Sequence, residues 1–271
     1  MSEKKVTSLV WFRNNLRVID NLSLKKSIEN SDKVIGYVNI DPNINSTTIY
    51  GFKKTEKFRI KFLLESISDL KKQLKKINVS LVVKNEDLKS SINSVIKKYE
   101  IDNIYIQKEW TRDELIEEEC IPSDINLIKD FDQFLFSPSD VSEIYENIPR
   151  GFSNFRKKCE KYLSIDDIIP TPKPLNKNNL IKEEYSVPSI SDLGYEEFEF
   201  HNDSTFKFLG GETHGINRVN EYFFESKNLS KYKLTRNGLV GKDYSSKISS
   251  WLSNGSISVS YTHLTLPTSV M

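Results

Sequence analysis

Leu9-Val10-Trp11-Phe12 and, after one intervening segment, Val34-Ile35-Gly36-Tyr37-Val38-Asn39-Ile40 are apolar runs too short for a helix and too continuous for a half-exposed strand. Each reads as a strand buried on both faces. Between Thr55 and Ile77 the apolar residues Phe58, Phe62, Leu63, Ile67, Leu70, Leu74 and Ile77 recur mostly in steps of three and four. That spacing puts one apolar stripe on a helix, with lysines on the opposite face. Leu81-Val82-Val83 reads as a third strand, and Leu88, Ile92, Val95, Ile96 and Tyr99 as the stripe of another helix. Ile104-Tyr105-Ile106 then gives a fourth strand, and Ile125 to Ile128 a fifth. Strands separated by helices of this length imply right-handed crossovers and a parallel sheet covered on both faces. Residues 1–136 are therefore expected to form a doubly wound α/β domain.

The turn after the first strand is where a dinucleotide-binding domain carries GxGxxG, because glycines let the backbone approach a pyrophosphate. This chain has Arg13 and Arg17 there instead, which excludes that site. Their four-residue spacing suggests guanidinium forks paired with carboxylates or backbone, with direct ligand contact as the alternative. Formal charge is only +1, from 39 Lys and Arg against 38 Asp and Glu, so any nucleic-acid contact must be local. At 37% the hydrophobic content is low for a large core, and 271 residues suit one domain plus part of another.

Cys120 and Cys159 are far apart and form no CxxC or Cys/His cluster, which implies two free thiols, no metal and a reducing cytosol. His201, His214 and His263 lack the partners of a metal site or a nucleophile triad, and no catalytic residue is assigned. Nothing approaches the ~18 apolar residues of a membrane span, and no apolar leader follows Met1; a soluble cytoplasmic protein is expected.

Beyond residue 136 the pattern changes. A short helix from Phe152 to Tyr162 should carry Phe155, Cys159 and Tyr162 inward, and Ile169-Pro170-Thr171-Pro172-Lys173-Pro174 should stop regular structure. The polar stretch from Asn176 to Asp203 reads as a long surface connection, poorly ordered in places, so 137–204 is read as a linker. A second domain, 205–258, begins near Phe206. Its Gly210-Gly211-Glu212 opens a helix running through Ile216, Val219, Tyr222 and Phe223, where Glu212 would favour the helix dipole.

That domain contains Tyr232-Lys-Leu-Thr-Arg236-Asn237-Gly238, followed by Asp243-Tyr244-Ser245-Ser246-Lys247-Ile248-Ser249-Ser250-Trp251-Leu252. Hydroxyls surround a lysine where a loop turns into a helix, so unpaired N–H groups and the positive helix end offer an anion cradle suited to a diphosphate. Lys227, Lys231, Lys233, Arg236, Lys242 and Lys247 face one acid, Asp243, which makes the local field positive. The alternative is a solvated lysine-rich loop.

Taken together, Leu9 to Arg17 with Asp20-Asn21, Tyr50-Gly51-Phe52-Lys53-Lys54-Thr55, Phe155-Arg156-Lys157-Lys158 and the Tyr232–Leu252 motif resemble the photolyase/cryptochrome flavoprotein family, in its DASH cryptochrome branch. The resemblance covers roughly residues 6 to 258. It implies an all-helical FAD-binding domain beginning after the linker, with Tyr232, Ser245, Ser246, Lys247, Ile248 and Ser249 on the diphosphate side of FAD. It further implies Glu109 as the acid holding a 5,10-methenyltetrahydrofolate antenna, and Arg236 at a DNA phosphate. The resemblance implies a monomer whose full-length relatives either repair cyclobutane pyrimidine dimers, in the DASH branch preferably in single-stranded DNA, with an electron from reduced flavin, or act as photoreceptors.

Two departures stand out. Family members carry Asp where this chain has Asn15, and the sequence after Ile257 no longer fits, so 259–271 reads as a truncated or non-native tail. The flavin-ring side of the site would lie beyond it, and Trp11, Trp110 and Trp251 match no electron-relay position. The 271-residue chain is accordingly expected to bind FAD weakly or not at all and to lack photoactivity. Three alternatives stay open: a blue-light photoreceptor without repair, a stand-alone folate- or nucleotide-binding module in 1–136, and Glu109 as merely the acid before a helix whose first turn, Thr111-Arg112-Asp113-Glu114, is a capping box. Trp110 either stacks on a pterin or covers the sheet edge.

Overall fold

The computed structural model describes residues 5–265. Strands and helices alternate through β1 (Thr7–Trp11), α1 (Leu22–Glu29), β2 (Lys33–Asn39), α2 (Lys57–Lys76), β3 (Ser80–Lys84), α3 (Leu88–Tyr99), β4 (Asn103–Gln107), α4 (Arg112–Glu118) and β5 (Asn126–Asp130). The strands form one sheet in the order β3-β2-β1-β4-β5, with every neighbouring pair parallel. Leu9 stands beside Ile35 on one side and Ile104 on the other. This is the doubly wound α/β architecture expected, and the chain direction across the sheet switches between β1 and β4, where such sheets bind ligands.

Period-2 alternation divides the core. Val10 and Phe12 point to the face covered by Leu24 of α1 and by Ile60, Ile67, Leu70 and Leu74 of α2. Leu9 and Trp11 point to the other face, against Ile92 and Val95 of α3. Asn21 caps α1 by accepting from Leu24 N–H, and Asp87 caps α3 by accepting from Ser90 N–H. Thr111 precedes α4 without any such bond, so the capping box read there does not form.

The second half contains α5 (Pro138–Ile144), α6 (Phe152–Tyr162), α7 (Glu212–Asn220) with a π turn over Glu221–Glu225, α8 (Tyr232–Thr235), α9 (Ser249–Ser253) and α10 (Val259–Thr265). In α6, Cys159 is buried as expected, Phe155 is half-buried and Tyr162 is 58% exposed, so the helix buries Cys159 alone. Segment 176–203 is not loosely held. Asn179 bonds both N–H and C=O of Val34 and the carbonyl of Asn78, while Ile190, Leu193 and Tyr195 enter the sheet's core. The stretch read as a tail begins as α10, and residues 266–271 lie outside the described residues.

Candidate functional site

The second lobe is fixed to α2 by close backbone contact. A Cβ on Gly210 would lie 2.1 Å from the Phe62 carbonyl, and one on Gly211, whose φ is +106°, 2.5 Å from Asp69 Cβ. Glycine at the start of α7 cannot cap it, so Asp69 does so from α2, accepting from Thr213 N–H at 2.8 Å and from its hydroxyl at 2.9 Å. Glu212, expected to serve its own helix, instead turns outward. Its carboxylate accepts from Val18 N–H at 3.1 Å and Ile19 N–H at 2.7 Å in the β1–α1 loop. Burial pushes its pKa up to about 7, against the opposing pull of those N–H groups and of Arg17.

From that anchored helix, Arg218 reaches into the loop that carries the cradle. The residue is 2% exposed. Its Nε donates to the Ser246 carbonyl at 2.9 Å, and Nη2 donates to the carbonyls of Lys242 at 2.8 Å and Ser245 at 3.2 Å. Nη1 donates to Glu221 at 3.0 Å and to Asp243 at 3.2 Å, while the guanidinium plane lies over Phe208 and Tyr222. Tyr232 and Arg236, at the two ends of α8, join the same turn because Thr235 donates from its hydroxyl to the Tyr244 carbonyl.

Six residues were expected to line the cradle. Ser245, Ser246 and Lys247 sit together on the turn held by Arg218; Tyr232 flanks it, 42% exposed; Ile248 leads into α9; and Ser249 opens α9 and also lines a large cavity. Lys247 adopts the left-handed conformation, φ +62°, with its ammonium 3.4 Å from the Tyr244 ring centroid. Ile248 follows in the right-handed helical region, φ −74° and ψ −11°. Successive residues of opposite hand turn their N–H groups to one side, a backbone concavity for an anion. Among the described residues no hydrogen bond engages those N–H groups or the hydroxyls of Ser245, Ser246 and Ser249.

With only five residues, α9 has a weaker dipole than the sequence suggested, so the positive field comes from side chains. Lys242 pairs with Glu221 and Asp243 with Arg218, leaving Lys227, Lys231, Lys233, Arg236 and Lys247 without an ion pair among the described residues. Arg218 lies in helical periodicity with no motif of its own. Only its position four residues before the buried Tyr222 hinted that it faces inward.

At the carboxyl ends of β1 and β2, beside α4, a cavity of about 1210 Å³ opens, walled by Phe58, Phe62, Phe206 and Phe208 and floored by Arg13, Asn14, Asn39 and Glu114. Arg13 Nε, Asn39 Oδ1 and Glu114 Oε2 are buried there without a partner, as are Asn15 Nδ2 and Gln107 Oε1 just behind. The remaining Arg13 nitrogens donate to the carbonyls of Glu114 and Gln107 and to Glu118, and Arg17 donates to Asp132 and to the carbonyls of Asp20 and Gly255. Both arginines thus serve as structural forks. Asn15 accepts from Arg13 N–H through Oδ1.

Glu109 lies one layer behind the floor. It is buried and accepts from Asn14 at 3.4 Å, Gln107 at 3.1 Å and Gln133 at 3.3 Å; burial raises its pKa against the pull of Arg13. Trp110, 44% exposed, rests against Phe131 and Phe134 over the end of the sheet, with Lys108 on its face. Cys120 and Cys159 are free thiols, and among the described residues no helix is long and apolar enough to cross a membrane.

Comparison with known proteins identifies the fold and the family. The DNA photolyase family model matches residues 8–175. A cryptochrome DASH of Gloeobacter violaceus is 34% identical over 268 residues, covering 97% of this chain and 53% of its own. The crystal structure of a Synechocystis cryptochrome superposes with TM-score 0.85 at 32% identity, over 97% of this chain and 56% of that one. An archaeal photolyase from Sulfolobus tokodaii, solved with two FAD molecules and discussed for a novel light-harvesting cofactor, shares the fold at TM-score 0.72 and 18% identity, over 96% and 54%. The chain spans about half the length of the relatives it matches. With a family model over most of its sheet-forming half and DASH relatives along nearly its whole length, this chain belongs to the DNA photolyase/cryptochrome family, in the company of the DASH cryptochromes.

Proposed function

We propose that the Arg218-held turn grips the diphosphate of FAD in a DASH-type, blue-light-dependent flavoprotein. Lys247 supplies the charge, the hydroxyls of Ser245, Ser246 and Ser249 and the neighbouring N–H groups supply hydrogen bonds, and Tyr232 and Ile248 flank the nucleotide. The observation that carries this reading is a set of donors left unpaired around a turn whose carbonyls are tied down from behind. When bound and reduced, the flavin furnishes the electron that opens a cyclobutane pyrimidine dimer. The chain's own part is to hold the nucleotide end and, through Arg236, to position a phosphate of the lesion-bearing single strand.

For the antenna, 5,10-methenyltetrahydrofolate is assigned to the strand-end region, with Glu109 as the acid behind Asn14. The aromatic wall and the orphaned polar atoms of the cavity support a flat, polar-edged chromophore there, and the two FAD molecules of the archaeal photolyase give a precedent for a second chromophore. In this reading residues 1–136 carry the antenna, 205–258 open the flavin-binding helical domain, and the protein works as a cytoplasmic monomer.

Titrating the 271-residue chain with FAD and with inorganic pyrophosphate tests the cradle. Weak, saturable binding of both, removed by Lys247→Ala, is expected, with no flavin band near about 450 nm surviving purification. Equal binding by the variant overturns it. Repair is tested on a chain extended to the length of its DASH relatives. Loss of a thymine dimer from a single-stranded oligonucleotide under blue light supports the lyase, and an intact lesion supports a photoreceptor.

A further inference from the structure

Among the buried ionisable groups outside the predicted cradle, Arg218 stands apart by the number and kind of its partners. Three of them are carbonyls of one short loop, those of Lys242, Ser245 and Ser246, and two are carboxylates, Glu221 and Asp243. A guanidinium cannot lose its proton, so it forces each carbonyl it holds to point inward. A peptide whose carbonyl points inward turns the next N–H to the opposite side. Fixing the carbonyls of Ser245 and Ser246 therefore turns the N–H groups of Ser246 and Lys247 outward, and Lys247 continues the turn in its left-handed conformation.

We infer that Arg218 is a positioning residue for the cofactor turn: it never touches the ligand, but it holds the backbone of 242–247 in the one arrangement that presents donors to an anion. The inference rests on the diphosphate reading of that turn. It also explains the net charge there. Arg218 engages Asp243, and Lys242 engages Glu221, so both acids are neutralised, and the Lys247 ammonium, resting on the Tyr244 ring, keeps its charge outside any ion pair among the described residues. The aromatic faces of Phe208 and Tyr222 keep water from the guanidinium, which strengthens each of its bonds.

Three variants of the 271-residue chain test this. Arg218→Lys keeps the charge but cannot reach five acceptors; Arg218→Ala leaves a guanidinium-sized hole; Asp243→Asn keeps Arg218 and removes one exposed partner. The first readout needs no ligand. Backbone amide order parameters at 242–247 should fall in Arg218→Lys from the rigid range toward that of a flexible loop, while those of β1 and β4 stay unchanged. The second is pyrophosphate affinity, which should fall roughly tenfold or more in Arg218→Lys and less in Asp243→Asn. Millimolar guanidinium should restore part of the affinity to Arg218→Ala and none to Lys247→Ala. If Arg218→Lys binds pyrophosphate as wild type while Lys247→Ala does not, Arg218 is structural only and the diphosphate reading survives. If wild type binds no pyrophosphate, both fall. If Arg218→Ala does not fold, Arg218→Lys and Asp243→Asn still decide.

Discussion

Glu109 illustrates how one buried carboxylate can serve two purposes that ordinary mutagenesis would confuse. It accepts from the amides of Asn14, Gln107 and Gln133, so Glu109→Ala strands three donors and should destabilise the chain by roughly 1–3 kcal/mol. Glu109→Gln preserves shape and one acceptor oxygen. Melting temperature should therefore fall clearly in Glu109→Ala and modestly in Glu109→Gln. Folate retention that is lost in both variants would support an antenna role for the carboxylate, whereas retention that follows melting temperature would leave it a structural acid. Gly255 makes a simpler case at the same scale. Its φ is +67° and a Cβ would lie 1.9 Å from the Asn14 carbonyl, so no side-chain rearrangement can make room. Gly255→Ala should cost roughly 3 kcal/mol or more in chemical denaturation, and a loss below ~1 kcal/mol would show that the loop after β1 can retreat.

At the scale of elements, α7 depends on another helix for its beginning. Two glycines press it against α2, and the cap that they cannot provide comes from Asp69, to which Gln73 adds a bond with the Thr213 hydroxyl. Removing it in Asp69→Ala should cost about 1–2 kcal/mol, as for other N-caps, and loosen amide exchange first in α7. An equal loss of protection in α1 and α3 would mean that the cap supports the whole chain rather than one helix. Nothing in the sequence marks this pairing. The strands and most helices of the first half were legible because their signals are local: apolar runs for β1 and β2, a stripe for α2 and another for α3. The two ends of the Asp69–Thr213 contact are 144 residues apart, and each is unremarkable where it stands. The same holds for Glu212, which a local rule assigns to its own helix and which tertiary contact gives to Val18 and Ile19. In the turn proposed as a cradle, the hydroxyls and Lys247 stand out as a motif, but Arg218 does not, because its partners are mostly backbone carbonyls, which carry no signature in side-chain composition.

For the molecule as a whole, the junction of the sheet with the second lobe gathers on one buried cation. Arg17 donates to Asp132, just past β5, and to the carbonyl of Gly255, while Glu212 of α7 lies close enough to feel its charge. Asp20 and Asp130 bear on Asp132, Asp69 bears on Glu212, and Tyr261 of α10 is near enough to feel the Glu212 charge. Burial, with these acids adding to it and Arg17 opposing it, pushes Asp132 up to about 6 and Glu212 up to about 7. Both values lie above those of the unfolded chain, so the folded state binds more protons. The stability they contribute is complete below about pH 4 and is lost as pH rises through 6 and 7. For Glu212, the rise from 4.5 to about 7 corresponds to roughly 3 kcal/mol. Glu212→Gln imitates the protonated acid, and its amide oxygen can still accept from Ile19. The variant should match wild type near pH 4 and exceed it in denaturant midpoint at pH 8, the two stability curves diverging as pH rises from 4.5 to about 7. Parallel curves would mean that Glu212 stays ionised in the folded chain, held by Arg17 and the N–H groups of Val18 and Ile19 more strongly than burial opposes them. The lobes would then be joined by a permanent charge rather than one that neutral pH half removes.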